Sequence, residues 1–147
     1  MRKVLLAALL SVSALPALAD DCATAIDGND AMQFDKKTIN VPASCKTFTV
    51  TLTHSGSMPK QTMGHNWVLS KTADYQALAM AGAQAGLDND YLPQGDTRVL
   101  AHTAIIGSGE QTKVTVDMSK LQKGSDYTFF CSFPGHFALM NGKFVVN

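Results

Sequence analysis

Ten residues near the end of the chain, Cys131-Ser132-Phe133-Pro134-Gly135-His136-Phe137-Ala138-Leu139-Met140, carry a thiol, an imidazole and a thioether in the order C-x4-H-x3-M. Thiolate and thioether are soft donors, and imidazole suits several transition metals, copper among them. A loop that bends back on itself can aim all three side chains at one point, and Pro134 and Gly135 supply the bend. Each residue also has an ordinary role: a free Cys is commonly a small buried hydrophobe, and a Met commonly fills core space. The spacing favours the metal reading, because the three donor types converge within one short loop.

A second imidazole completes the set. The chain has four histidines, and besides His136 these are His54, His65 and His102. His65 lies in Met63-Gly64-His65-Asn66-Trp67, where a turn gives way to an apolar stretch, and it is the best candidate. His54 ends a strong strand pattern, and its protonation is a candidate source of pH dependence. His102 sits in a weaker strand pattern and is expected to face water. Cys131, His65 and His136 in a plane, with Met140 as a weak axial group, form the donor set of one-electron copper sites. One thiolate and two imidazoles also suit Zn²⁺ with water, although the affinity order favours copper. An oxidase or nitrite reductase would need a second metal site, and only His54 and His102 remain for it. No C-x-x-C redox pair and no G-x-S-x-G nucleophile context occur. A copper storage or delivery protein would use the same ligands but release the metal readily.

The elements around these residues read as mostly β. Lys46 to Thr53 alternates Phe48, Val50 and Leu52 with threonines, a period of two. Lys113 to Met118 alternates likewise, and Ala31 to Phe34, Tyr127 to Cys131 and Lys143 to Val146 add strands. His65 to Leu69 and Arg98 to Thr103 are weaker candidates. Turn chemistry at Asp27-Gly28-Asn29-Asp30, Gly107-Ser108-Gly109, Lys123-Gly124-Ser125-Asp126 and Asn141-Gly142 separates the strands. One Ala- and Gln-rich stretch, residues 73–86, reads as a short helical insertion, with Thr72 able to cap it and Gly82 or Gly86 able to end it. Seven or eight short strands with one helix predict an all-β Greek-key β-sandwich. Leu121-x-x-Gly124-x-x-Tyr127 fits either a tyrosine corner or a turn followed by a core aromatic.

The chain opens with Met1-Arg2-Lys3, an apolar run from Val4, and Ala17-Leu18-Ala19, the layout of a secretory leader with a small-x-small cleavage site. The run is shorter than the ~20 apolar residues of a spanning helix. Residues 1–19 are therefore read as a signal peptide and residues 20–147 as one domain with a net charge of −2. Charged residues are 16% of the chain and no basic patch occurs, which argues against nucleic-acid binding. Export implies an oxidising compartment. There the odd count of Cys22, Cys45 and Cys131 leaves one thiol over. Pairing Cys22 with Cys45 would tie down the mature N-terminus, by loop entropy worth about 3 kcal/mol. The other pairings consume Cys131, against the chemistry of its neighbours. Metal ligation would protect a leftover thiol from oxidation.

The segment Cys131–Met140 and Gly64-His65-Asn66-Trp67 together resemble the cupredoxin family of blue copper proteins. The likeness extends to Cys22 and Cys45, Asp27-Gly28-Asn29-Asp30, Ile105-Ile106-Gly107-Ser108-Gly109-Glu110 and the Ala-rich insertion. Plastocyanin-like members have two residues between Cys and His, and here there are four. The resemblance implies a cupredoxin-like fold and one type 1 copper, held by His65, Cys131, His136 and distant Met140, with the Gly64 carbonyl on the opposite axial side. It implies that Asn66 ties the His65 loop to the Cys131 loop. It also implies that the backbone N–H groups of Asn66 and Phe133 point at the Cys131 sulfur. It further implies a non-enzymatic periplasmic carrier exchanging electrons with c-type cytochromes, reductases or dehydrogenases; the sequence leaves the oligomeric state open, with a monomer as the default expectation. The docking surface would be an apolar patch of Met32, Met58, Met63, Phe133 and Pro134, with Phe137 adding area. Thr62 and Ala83 make that patch less apolar than is usual.

Overall fold

The computed structural model describes residues 22–147, so the leader reading lies outside the described residues. These residues form β1 (Ala23–Asn29), β2 (Gln33–Phe34), β3 (Thr38–Val41), β4 (Thr47–His54), β5 (Val68–Lys71), β6 (Ala101–His102), β7 (Gln111–Asp117), β8 (Tyr127–Phe130) and β9 (Asn141–Val146). Helix α1 (Lys60–Met63) precedes β5 and helix α2 (Tyr75–Gly82) follows it. One sheet runs β2-β1-β4-β7 and the other β3-β9-β8-β5-β6. The β1–β4 and β3–β9 pairs are parallel and the rest are antiparallel, so both sheets are mixed. This is the two-sheet, mostly β architecture that the alternating patterns predict.

The period-two signal of β4 works as expected. Phe48, Val50, Leu52 and His54 point into the sandwich, and the intervening threonines point outward. Between the sheets, Phe48 meets Phe144 edge to face, and Trp67 stacks on Phe129, at centroid distances of 5.7 and 6.0 Å. The Trp67 indole N–H is buried in this apolar core and has no hydrogen-bond partner among the described residues. β8 does not alternate: all four of its residues are buried. The cause is α2, whose Leu78 and Ala79 pack with Val68, Leu92 and Phe130 on the outer face of the sheet. A strand covered on both sides has no wet face to alternate with. The Tyr127 hydroxyl accepts the Gln122 N–H at 2.8 Å. That bond back to nearby backbone forms the tyrosine corner. Cys22 and Cys45 are joined by a disulfide, and Cys131 is left as a buried free thiol.

Several elements depart from expectation for identifiable reasons. The Asp27-Gly28-Asn29-Asp30 turn is instead the end of β1, which pairs in parallel with β4 up to Gly28 and with β2 at Gly28 and Asn29. The chain reverses at Asp30–Met32, where Met32 takes a left-handed φ of 55°. Only Gln33 and Phe34 of the expected third strand therefore pair. The helix spans Tyr75–Gly82 and not 73–86. The N–H of Thr72 is held by the Asp126 carbonyl and its hydroxyl by that of Thr128, and the residue before the helix is Asp74, so Thr72 lies in the turn after β5 and caps nothing. β3 and α1 carry no strong pattern in the sequence and are additional elements.

Candidate metal centre

The neck of the Cys131–Met140 loop is closed by β8 and β9. Phe130 pairs with Asn141, and the Cys131 N–H donates to the Met140 carbonyl at 3.0 Å. Inside the loop a short 3-10 turn at His136–Ala138 brings the Met140 N–H to the His136 carbonyl at 2.7 Å. His65 enters from the segment before β5, where it forms a two-bond bridge with Ile106. These segments bring the His65, Cys131 and His136 donor atoms within 4.8 Å of one another. The Cys131 Sγ lies 3.9 Å from His65 Nδ1 and 3.7 Å from His136 Nδ1. Bonds of ~2.0–2.3 Å to one ion in a trigonal plane would separate neighbouring sulfur and nitrogen donors by roughly 3.7 Å. The residues therefore fit a metal of that size.

The tautomer of His65 is set by its surroundings. Its Nε2–H donates to the Asn29 carbonyl at 2.9 Å, which leaves Nδ1 bare and facing the sulfur. Burial pushes the His65 pKa down. For His136, burial and the neighbouring His65 and His54 bring it to about 4. Both rings are thus neutral at pH 7, as ligands must be. Burial pushes the Cys131 thiol up to about 12, and the backbone N–H groups of Asn66 and Phe133 pull the other way. Those are the two amides expected to point at the sulfur. His65 is wholly buried, whereas His136 keeps 4% of its surface exposed, so His136 is the edge nearest solvent.

The other expected residues fall around this cluster. The Gly64 carbonyl is 3.9 Å from Cys131 Sγ. A Cβ at Gly64 would lie 2.4 Å from the Lys60 carbonyl oxygen, so only glycine permits that approach. Met140 is fully buried. The Asn66 side chain bridges to the Cys131 loop, accepting the Ser132 N–H at 2.9 Å and donating to Ser132 Oγ at 2.8 Å. His54 stacks on His65 at 4.4 Å but spends both nitrogens elsewhere: Nδ1 accepts the Gly56 N–H, and Nε2–H donates to the Met63 carbonyl. His102 is exposed. Of the apolar patch, Met58 and Pro134 are exposed, while Met32, Met63 and Phe133 are half-buried. Phe137 is half-buried as well and packs against the cluster of Val68, Leu78, Leu92 and Phe130. Leu139, 54% exposed and close to His136 in the same loop, is an apolar surface residue that the motif alone does not single out.

Gly28 is a site residue that the sequence shows only as part of a turn. A Cβ there would meet His65 Cδ2 at 2.7 Å and Met140 Cε at 3.4 Å. β1 can therefore pass behind the cluster only with glycine at this position. Its proximity arises from the parallel β1–β4 pairing, which no local pattern announces.

Residues 20–147 match the family model of copper-binding proteins of the plastocyanin/azurin family. The chain is 60% identical over 135 residues to azurin of Bordetella pertussis, covering 92% of this chain and 90% of that protein. It is 54% identical over 142 residues to azurin of Pseudomonas aeruginosa, covering 97% and 96% respectively. Among solved structures, an azurin (Az-iso2) from Methylomonas sp. strain J aligns with a TM-score of 0.83 at 49% identity, over 86% of this chain and 98% of that one. With the buried thiol and two neutral imidazoles in the position that such a metal requires, the chain belongs to the plastocyanin/azurin family of copper-binding proteins.

Proposed function

We propose that this blue copper protein is a periplasmic electron carrier and not an enzyme, with His65, Cys131 and His136 as strong ligands, Met140 as the weak axial group and the Gly64 carbonyl opposite it. The observation that carries the reading is the buried cluster itself: one free thiol and two Nδ1 atoms within 4.8 Å, with the His65 tautomer fixed by Asn29. Copper supplies one-electron chemistry between Cu(II) and Cu(I). The protein's part is to hold its donors still. Asn66, Ser132 and the β8–β9 neck fix the loop, so the ligands have little freedom to rearrange when the charge changes. The N–H groups of Asn66 and Phe133 draw charge from the sulfur and so raise the potential.

His136 is the exit toward partners, and Met32, Met58, Met63, Phe133 and Pro134 form the surface around it. Redox partners such as c-type cytochromes, reductases or dehydrogenases would dock there by small, brief, apolar contacts. A net charge of −2 after leader removal gives little long-range steering. Residues 1–19 serve as the leader, cleaved after Ala19, and no helix among the described residues is long and apolar enough to cross a membrane. The mature chain works as a monomer. The test is repeated oxidation and reduction of the copper-loaded chain in the presence of a competing chelator. A carrier retains its copper through many cycles and exchanges electrons with cytochrome c at a rate almost independent of salt. Loss of copper to the chelator within a few cycles would identify a delivery protein instead.

A further inference from the structure

Three described non-glycine residues adopt left-handed backbone, Met32, Asp90 and Tyr91, and two of them are adjacent. Asp90 has φ 54° and ψ 26°, and Tyr91 has φ 49°. A bulky side chain such as Tyr91 rarely accepts this conformation, and consecutive cases persist only where the surroundings over-determine them. The surroundings of this pair are the ligand loops. The Asp90 carbonyl accepts from Asn66 Nδ2 at 3.1 Å and from Ser132 Oγ at 2.7 Å. Its carboxylate Oδ1 accepts the Ile105 N–H at 2.7 Å. Asn66 follows His65, Ser132 follows Cys131, and Ile105 precedes the residue bridged to His65. The Tyr91 ring meets Phe133 edge-on at 5.2 Å, and Phe133 in turn lies 4.5 Å from the His136 ring. From the other side α2 presses on the pair: a Cβ at Gly82 would sit 2.0 Å from the Tyr91 carbonyl oxygen.

Resting on the proposed copper site, we infer that Asp90 is a positioning residue for it, a clamp that joins the His65, Cys131 and Ile105 segments through three hydrogen bonds, with Tyr91 bracing the His136 arm. Asp90 belongs to none of the ligand loops and lies 24 residues from Asn66 and 42 from Ser132 in sequence. Its left-handed backbone is what turns the carbonyl toward Asn66 and Ser132 while the side chain reaches back to Ile105. Relaxing it would free the Cys131 loop relative to the His65 loop, and so alter the distances between sulfur and nitrogen donors.

Two substitutions separate positioning from bulk stability. Asp90→Asn keeps a carbonyl oxygen for the Ile105 N–H and tolerates the left-handed backbone. Asp90→Gly accepts the same backbone but removes the acceptor. The readouts are the charge-transfer spectrum and EPR pattern of the Cu(II) form, Cu(II) affinity by chelator competition, and amide exchange at Ile105 and Ser132 in the metal-free protein. Asp90→Asn should match wild type in all of them. Asp90→Gly should shift the spectrum, bind Cu(II) about ten- to a hundredfold more weakly, and exchange faster at both amides. If Asp90→Gly does not fold, Ser132→Ala severs another contact of the same clamp and should show the same spectral shift. A glycine or Ser132→Ala variant that folds with a wild-type spectrum and affinity, or an asparagine variant as perturbed as the glycine one, overturns the inference. A wild-type chain that forms no coloured copper complex overturns the copper reading itself, which keeps the two failures distinct.

Discussion

Copper uptake should release one proton, and that proton comes from Cys131. In the metal-free fold the thiol is pushed up to about 12 by complete burial, so at pH 7 it is protonated. Removing its proton at that pH costs about 7 kcal/mol, five pH units at about 1.36 kcal/mol each. The metal–sulfur bond must supply this in addition to the observed affinity. His136, near 4, and His65, also lowered by burial, are already neutral and release nothing. Apparent affinity should therefore rise about tenfold per pH unit between about pH 7 and 9. Below about pH 4 the slope should steepen as His136 begins to compete for protons. The assay is anaerobic Cu(I) titration calorimetry in buffers of different protonation enthalpy, corrected for metal held by buffer. The slope of heat against buffer enthalpy counts the protons. A value near one for wild type and near zero for Cys131→Ser is expected. Wild type releasing none, or releasing two at pH 7, would refute the protonation states assigned to the cluster.

The Cys22–Cys45 bridge closes a sequence separation of 23 residues. Opening it should cost about 3 kcal/mol by chain entropy; a double alanine variant should melt earlier yet keep the wild-type copper spectrum, since the bridge uses neither ligand loop. Gly28→Ala should displace the His65 ring, destabilising the fold by ~1–3 kcal/mol and weakening copper binding; denaturant titration and chelator competition measure the two effects. Metal-free protein should lose stability on acidification. His65 and His136 have folded pKa values below their unfolded ones, so their contribution is present above about pH 6.5 and is lost as pH falls toward 4. Melting curves across that window, compared with a His136→Ala variant, isolate the contribution of His136.

The proposed ligand residues are legible in the sequence because their chemistry is local. Cys131, His136 and Met140 share one loop, and the hairpin that closes its neck is visible as two strand patterns. Strand β4 is equally plain, since one of its faces is wet. β1 is hidden because its partner is remote along the chain, with Ala23 set opposite Thr49 in parallel register, and because its end looks like a turn. The same remoteness hides the roles of Gly28 and Asp90: what matters at each is which side chain arrives from another part of the chain. His136 is recognisable as a candidate ligand from sequence, but its greater exposure relative to His65 emerges only from packing. Phe137, a patch residue by adjacency in the loop, also packs against the cluster that holds Leu78 and Ala79 of α2, a contact that no local pattern shows.

The most direct measurement is optical. Cu(II) added to metal-free mature protein should give an intense blue charge-transfer absorption that a reductant bleaches, and Cys131→Ser should give none. A colourless wild type, or a serine variant that turns blue, would contradict the assignment of copper to the Cys131 sulfur.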